Sequence, residues 1–195
     1  NAVTRVISGT PTTGGNFNLT LTVTDSNGNT VNANYQLRVD VRAPQVIPVV
    51  ICVGSTATMT VLNPEANVTY NWYAAQGSTP LATANSGVYT SSAINASTSF
   101  YVEAVSGSAT SARVQVTVTA NPLANAPTII TNNPSVNVNQ SATLRAIAET
   151  NATVNWYGQA TGGTRLAIGE DFTTPALTAN TTYYVEAVTA SGCAS

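Results

Sequence analysis

The chain has 195 residues with a net charge of −2 at pH 7; it has six Arg, no Lys and no His, and charged residues make up only 7%. Missing His removes the commonest general base and metal ligand, and six scattered Arg give no basic patch for nucleic acid or anionic lipid. No run of 18 apolar residues is present, so no membrane insertion is expected in this segment. The 43% hydrophobic content is enough to build cores, and the polar surface must come from Thr, Asn and Ser. That composition suits exposed β-sheet in an extracellular medium. The chain starts at Asn1 without a signal peptide and stops inside a repeat, so it is expected to be an excerpt of a longer mature protein.

The apolar residues Phe17, Leu19, Leu21 and Val23 alternate with polar ones, and so do Val31, Ala33, Tyr35, Leu37 and Val39. Period-two alternation predicts two strands with one buried face. Between them lies Asp25-Ser26-Asn27-Gly28-Asn29, whose Asn-Gly pair offers the positive φ of a tight hairpin turn. A third strand is predicted at residues 5–8. This segment, residues 1–42, is too small to close a sandwich and reads as the back half of a domain. Asp25, Asn27 and Asn29 have no Glu at the spacing of a calcium loop, so a turn is expected there.

Ala43-Pro44 and Ala126-Pro127 mark two linkers. Residues 43–122 are predicted to hold strands near 45–51, 56–62, 68–74, 80–84, 98–105 and 112–119, divided by Gly, Asn, Pro and Ser clusters. Residues 123–195 repeat that order. Asn71-Trp72-Tyr73 returns as Asn155-Trp156-Tyr157, and Phe100-Tyr101-Val102-Glu103-Ala104-Val105 returns as Tyr183-Tyr184-Val185-Glu186-Ala187-Val188. Near-constant spacing of roughly 80 residues makes these two copies of one module. The second copy stops where the strand matching residues 113–119 would begin. It is therefore expected to lack its last strand, either by truncation or because another chain completes the sheet by strand addition.

Strand parity divides the repeated residues into two sets. Val68, Tyr70, Trp72, Phe100, Val102 and Ala104 are expected in one core, with Val154, Trp156, Tyr183, Val185 and Ala187 in the other. Tyr73 and Tyr101, and likewise Tyr157 and Tyr184, are expected side by side on an outer face next to Glu103 and Glu186. Aromatic rings beside a carboxylate can stack on a sugar or anchor a protein, and they can equally serve only to stabilise the sheet. They form a candidate surface contact strip. No nucleophile elbow, phosphate loop or metal-ligand cluster occurs, so no catalytic, cofactor-binding or metal site is expected. Glu170-Asp171 reads as a solvated turn with its carboxylates on opposite sides.

The residues Ile7-Ser8-Gly9-Thr10-Pro11, ahead of the hairpin, resemble the C-terminal half of an Ig-like, cadherin-like domain of bacterial surface proteins. Trp156-Tyr157, Gly162-Gly163-Thr164, Thr173-Thr174-Pro175 and Tyr184-Val185-Glu186-Ala187, with Gly192-Cys193, resemble the Ig-like modules repeated in Bacteroidota surface and secreted proteins. That resemblance covers most of residues 126–195 and, more loosely, 43–120. It implies an all-β chain of tandem Ig-like β-sandwiches, extracellular at the bacterial cell surface, often exported by the type IX route and without an active site. Such modules commonly carry one cysteine ahead of the strand that corresponds to residues 56–62 and one after the strand that corresponds to residues 98–105. Here the first copy keeps only Cys52, with Ser108 near the other position, and the second keeps only Cys193, with Asn137 near the first. A Cys52–Cys193 disulfide joining the two repeats is the resulting expectation, with an oxidising location.

The functional expectation is a non-catalytic stalk or filament segment of a large bacterial adhesin. Its expected partners are neighbouring domains of the same protein, other surface proteins or glycans. A carbohydrate-binding accessory region of a secreted polysaccharide-degrading enzyme is the alternative, which glycan binding lost in Tyr73→Ala and Tyr157→Ala variants would support.

Overall fold

The computed structural model describes residues 8–74, 76–77, 79–131 and 133–195. These hold sixteen strands and no helix, and they divide into two compact units. One unit is Asn1–Ile51 with Thr56–Thr119, and the other is Cys52–Ser55 with Ala120–Ser195.

The first unit opens with a hairpin of β1 (Gly15–Thr24) and β2 (Thr30–Val39), paired along their whole length from Gly15↔Val39 to Thr24↔Thr30. Its loop is the expected segment, residues 25–29. Within it only Gly28 takes a positive φ (84°), and the Asp25 N–H donates to the Asn29 carbonyl at 2.9 Å. The two alternating strands pair as expected in a hairpin, and in its register Phe17 lies opposite Leu37, Leu19 opposite Tyr35 and Val23 opposite Val31. The face they form is not buried, however, and these six residues all stay more than a third exposed. Two strands make a ribbon with nothing of their own to fold over that face. The third strand predicted at 5–8 lies outside the described residues except for Ser8, which is irregular.

The hairpin is tied to the rest of its unit at one tight spot. The Gly14 N–H donates to Ser106 Oγ at 3.1 Å, and a Cβ on Gly107 (φ 57°) would stand 2.5 Å from the Gly14 carbonyl oxygen. Both positions need glycine for close backbone approach.

Beyond the hairpin, the first repeat is a two-layer sandwich. One sheet runs β3-β10-β8-β5-β6, formed by β3 (Val49–Cys52), β5 (Thr69–Tyr73), β6 (Ala82–Ala84), β8 (Thr98–Ser106) and β10 (Val114–Asn121). The short β9 (Ala109–Thr110) turns back on β8. The opposing layer pairs β4 (Thr58–Thr60) with β7 (Val88–Thr90), and Val46 bridges to Val61 beside them. Trp72, Val102, Val116, Val118 and Met59 are almost wholly inaccessible, which is the alternation of β5, β8 and β10 facing inward.

The second unit repeats the arrangement as two three-stranded sheets. One runs β11 (Thr128–Ile129), β12 (Thr143–Ile147), β15 (Asp171–Thr173); the other runs β14 (Arg165–Ile168), β13 (Ala152–Tyr157), β16 (Tyr184–Thr189). On the side of β16 away from β13, residues 193–195 turn back on the strand, with the bridge Val188↔Ala194 and the Ser195 N–H donating to the Ala187 carbonyl at 2.9 Å. Its core gathers Ala146, Val154, Trp156 and Phe172, with Leu144, Tyr183 and Val185 partly buried against them.

Each core is built on the same three rings. Trp72 stacks on Tyr89 at 5.9 Å and Tyr89 meets Phe100 edge-on at 5.7 Å; Trp156 lies 5.5 Å from Phe172, which meets Tyr183 edge-on at 5.1 Å. The middle ring, Tyr89 or Phe172, is absent from the sequence-based core because it sits on a three-residue strand with no alternation to read. The turn that launches the tryptophan strand also recurs: Asn67 (φ 61°) precedes β5 and Asn151 (φ 66°) precedes β13. Asparagine tolerates this left-handed conformation better than most residues. Only the indole hydrogen bond differs, since Trp156 Nε1 donates to the Gly169 carbonyl at 2.9 Å while Trp72 Nε1 has no partner among the described residues.

Candidate functional site

Strands β5 and β8 place Tyr73 directly opposite Tyr101, and β13 and β16 place Tyr157 opposite Tyr184. The expected adjacency is therefore present in both repeats, but the expected exposure fails at Tyr73. Tyr73 is only 3% exposed. Its hydroxyl donates to Glu103 Oε1 at 2.5 Å, Arg113 Nε donates to Glu103 Oε2 at 2.8 Å, and the Arg113 guanidinium carbon lies 3.5 Å from the centre of the Tyr73 ring. Arg113 also donates to the Gln76 carbonyl. The guanidinium thus roofs the ring that parity alone had left open to solvent, through a charge-assisted bond and a cation–π contact. This corrects the assignment of Tyr73 to a surface strip, and Glu103 is buried with it.

The electrostatics follow from that geometry. Burial pushes the Tyr73 phenol up from its ordinary 10.0, and the bond to the Glu103 carboxylate and its charge push it the same way, against a smaller opposing effect of Arg113. Burial also pushes Glu103 up, but bonds from Tyr73 and Arg113 and the Arg113 charge together outweigh it. The carboxyl is held below its ordinary 4.5. Arg113 was not singled out from the sequence. A signal existed: Val114 pairs with Val102, so in the same register Arg113 falls opposite Glu103.

In the second repeat the Tyr157 hydroxyl donates to Glu186 Oε1 at 2.5 Å, and Asn155 Nδ2 approaches the same oxygen at 3.3 Å. The bond to Glu186 raises the Tyr157 phenol above 10.0, with burial and the Glu186 charge adding to it. Tyr101 and Tyr157 are half-buried, and Tyr184 is 40% exposed. Of the four tyrosines, Tyr184 is the most exposed.

Two smaller expectations resolve as turns and ion pairs. Asp25 Oδ1 accepts the backbone N–H groups of Asn27 and Asn29, and Oδ2 accepts the Asn29 side chain; that side-chain bond first, with the backbone bonds, lowers the Asp25 carboxyl below 3.8. Glu170 and Asp171, expected on opposite sides, both reach Arg145, at 2.5 and 2.9 Å. A long guanidinium can gather neighbouring carboxylates that strand parity would separate. Among the described residues no group of three or more His, Cys, Asp and Glu side chains gathers as metal ligands do.

The two cysteines are joined. Cys52 and Cys193 form a disulfide with S–S 2.03 Å and Cα–Cα 5.6 Å across a sequence separation of 141. Although Cys52 ends β3, the segment Cys52–Ser55 clusters with the second unit. Around the bridge, the Val53 N–H donates to the Asn121 carbonyl at 2.9 Å, and the Cys193 carbonyl accepts from Ala124 at 3.3 Å and Thr189 at 3.0 Å. Cys193 is 1% exposed. Burial and backbone bonding hold its carbonyl and sulfur in place.

A family profile described as "Ig-like domain CHU_C associated" matches residues 42–122 and again 125–195. The chain belongs to that family. A second profile, "Putative Ig domain", matches residues 1–40. The comparison with curated proteins gave no match. Similar solved structures include the human OSCAR ligand-binding domain, with 17% identity, TM-score 0.32, and coverage of 75% of this chain and 88% of that one. The FN1–FN3 domains of chicken CNTN1 share 14% identity at TM-score 0.38, covering 88% and 69%. A multidomain fragment of titin shares 14% identity at TM-score 0.41, covering 92% and 70%. The chain is all-β, a tandem of Ig-like sandwiches. Tandem Ig-like domains with a disulfide suggest an extracellular structural or adhesive module, and Ig-like families are typically non-catalytic.

Proposed function

We propose that this chain is a non-catalytic stalk or filament segment of a large bacterial cell-surface or secreted adhesin of the Bacteroidota type, exported by the type IX route. The observation that carries the reading is the pair of family matches at residues 42–122 and 125–195, together with one disulfide that takes its cysteines from both. Repeats of one sandwich make spacing, and a disulfide persists in an oxidising compartment. Its partners on this reading are the neighbouring domains of the same protein, with other surface proteins or glycans at the ends of the array.

The glycan-binding reading draws on fewer residues than the sequence offered. A sugar stacks on an open aromatic face, and Arg113 covers that of Tyr73, which leaves Tyr184 as the best-placed ring. Antibodies raised against residues 43–195 and applied to intact cells and culture medium test the main reading. Surface labelling or release into the medium is expected. Signal confined to lysed cells would overturn it.

A further inference from the structure

We propose that the Cys52–Cys193 disulfide is a tension shunt, which carries an end-to-end pull past β4 to β16, the bulk of both Ig-like repeats, and so keeps those strands folded under load. The mechanical use of such a device rests on the stalk reading above, but the device itself rests on covalent connectivity alone.

A pull on residue 1 against residue 195 travels along the chain until Cys52, where two routes lead to Cys193. One is the backbone through residues 53–192, folded into thirteen of the sixteen strands, β4 to β16. The other is the disulfide, whose ends are 5.6 Å apart at Cα. Two routes in parallel share their end points, so the shorter, inextensible one becomes taut first. The backbone route can come under tension only after the bridge breaks. It stays slack because its 141-residue separation could stretch to about 500 Å at roughly 3.6 Å per residue.

The elements outside the loop behave differently. The hairpin β1–β2 and the segment leading to β3 lie on the loaded route. The hairpin is held to its unit by the Gly14–Ser106 bond and the Gly14–Gly107 approach, so it is the element that yields. Forced unfolding is governed by the unfolding rate of whatever is loaded, and the bridge removes β4 to β16 from that category, leaving β3, the edge strand of the first repeat's sheet, on the loaded route.

Opening the shunt requires reduction. Two electrons and two protons from a dithiol reductant convert the Cys52–Cys193 bond to two thiols, and the reductant becomes a disulfide. The extensible length of the chain is then set by redox state, short when oxidised and long when reduced.

Single-molecule stretching of the full chain, held at its two ends, tests this. The oxidised chain is expected to give no extension from residues 53–192, and its total gain is limited to the residues before Cys52. The same chain in a dithiol reductant, and a Cys193→Ser variant, are each expected to gain about 500 Å more contour length. The reduced parent provides the comparison without any substitution, should the variant fold poorly. Equal extension with and without reductant would overturn the proposal, and so would two titratable thiols in the purified, air-oxidised chain. Retention inside the cell would defeat the surface reading while leaving the stretching result to stand by itself.

Discussion

A guanidinium, a carboxylate and a phenol converge on one outer face of the first repeat, and each makes the others affordable to bury. Arg113 is the piece on which the rest depends, because it both neutralises Glu103 and covers Tyr73. Removing it leaves a carboxylate with an 11% exposed side chain bonded only to neutral groups, the Tyr73 phenol and the Asn71 side chain. Arg113→Ala is expected to lower stability through loss of a charge-assisted bond, read as a lower urea midpoint at pH 7. The pH dependence has two limbs. Glu103 is held below 4.5, so its contribution is present at neutral pH and is lost as pH falls through its depressed value. Tyr73 is raised above 10.0, so its contribution is complete below pH 10 and is lost as pH climbs through the raised value. Glu103→Gln should flatten the acid limb of a urea-midpoint profile taken from pH 7 to 3; an unchanged slope would remove Glu103 from this account. Parity identified Trp72, Val102 and Trp156 as inward because alternate residues share a face, and they are buried. It placed Tyr73 on the outer face correctly and exposed it wrongly, since parity says nothing of what another strand lays on top.

Among the elements, the hairpin shows both what alternation can specify and where it stops. It marked β1 and β2 as the two strands of one hairpin, yet the apolar face it implied is left exposed because the ribbon has only two strands. Attachment depends on two glycines that no periodicity marks. Gly107→Ala would force a Cβ to within 2.5 Å of the Gly14 carbonyl at a φ of 57°, so it should cost more than 1 kcal/mol at that contact. The expected result is a hairpin cleaved early in limited proteolysis, with the Trp72 fluorescence of the repeat retained. Gly28→Ala is the control, since its Cβ would meet open space and only the loop conformation should suffer. Cleavage at the same rate in both variants would show that the Gly14–Gly107 approach does not hold the hairpin. The strands that sequence reading passed over, β7 and β15, are three residues long with a single ring each. Such elements are defined by their partners β4 and β12 rather than by their own pattern.

At the scale of the molecule, two cysteines separated by 141 residues make most of the chain one covalent ring. In the chain-entropy description a loop of that length restricts the unfolded chain by roughly 5 kcal/mol, less any native strain. The repeat was visible in the sequence because its motifs return at near-constant spacing, and the ring depends on each copy carrying a single cysteine. Trypsin can read the ring directly. With no Lys, its sites are the six Arg, of which Arg113, Arg145 and Arg165 lie inside the loop and Arg5, Arg38 and Arg42 outside it. Arg165 is exposed and follows Gly162 and Gly163, both at positive φ, the kind of loop margin proteases reach first. Cleavage there is expected to leave residues 166–195 attached through Cys193 on a non-reducing gel and to release them as a separate fragment once a dithiol is added. Loss of that fragment without reductant would mean that the ring is open in solution. Cuts at Arg38 and Arg42, by contrast, should free the hairpin region under either condition, because no disulfide retains it.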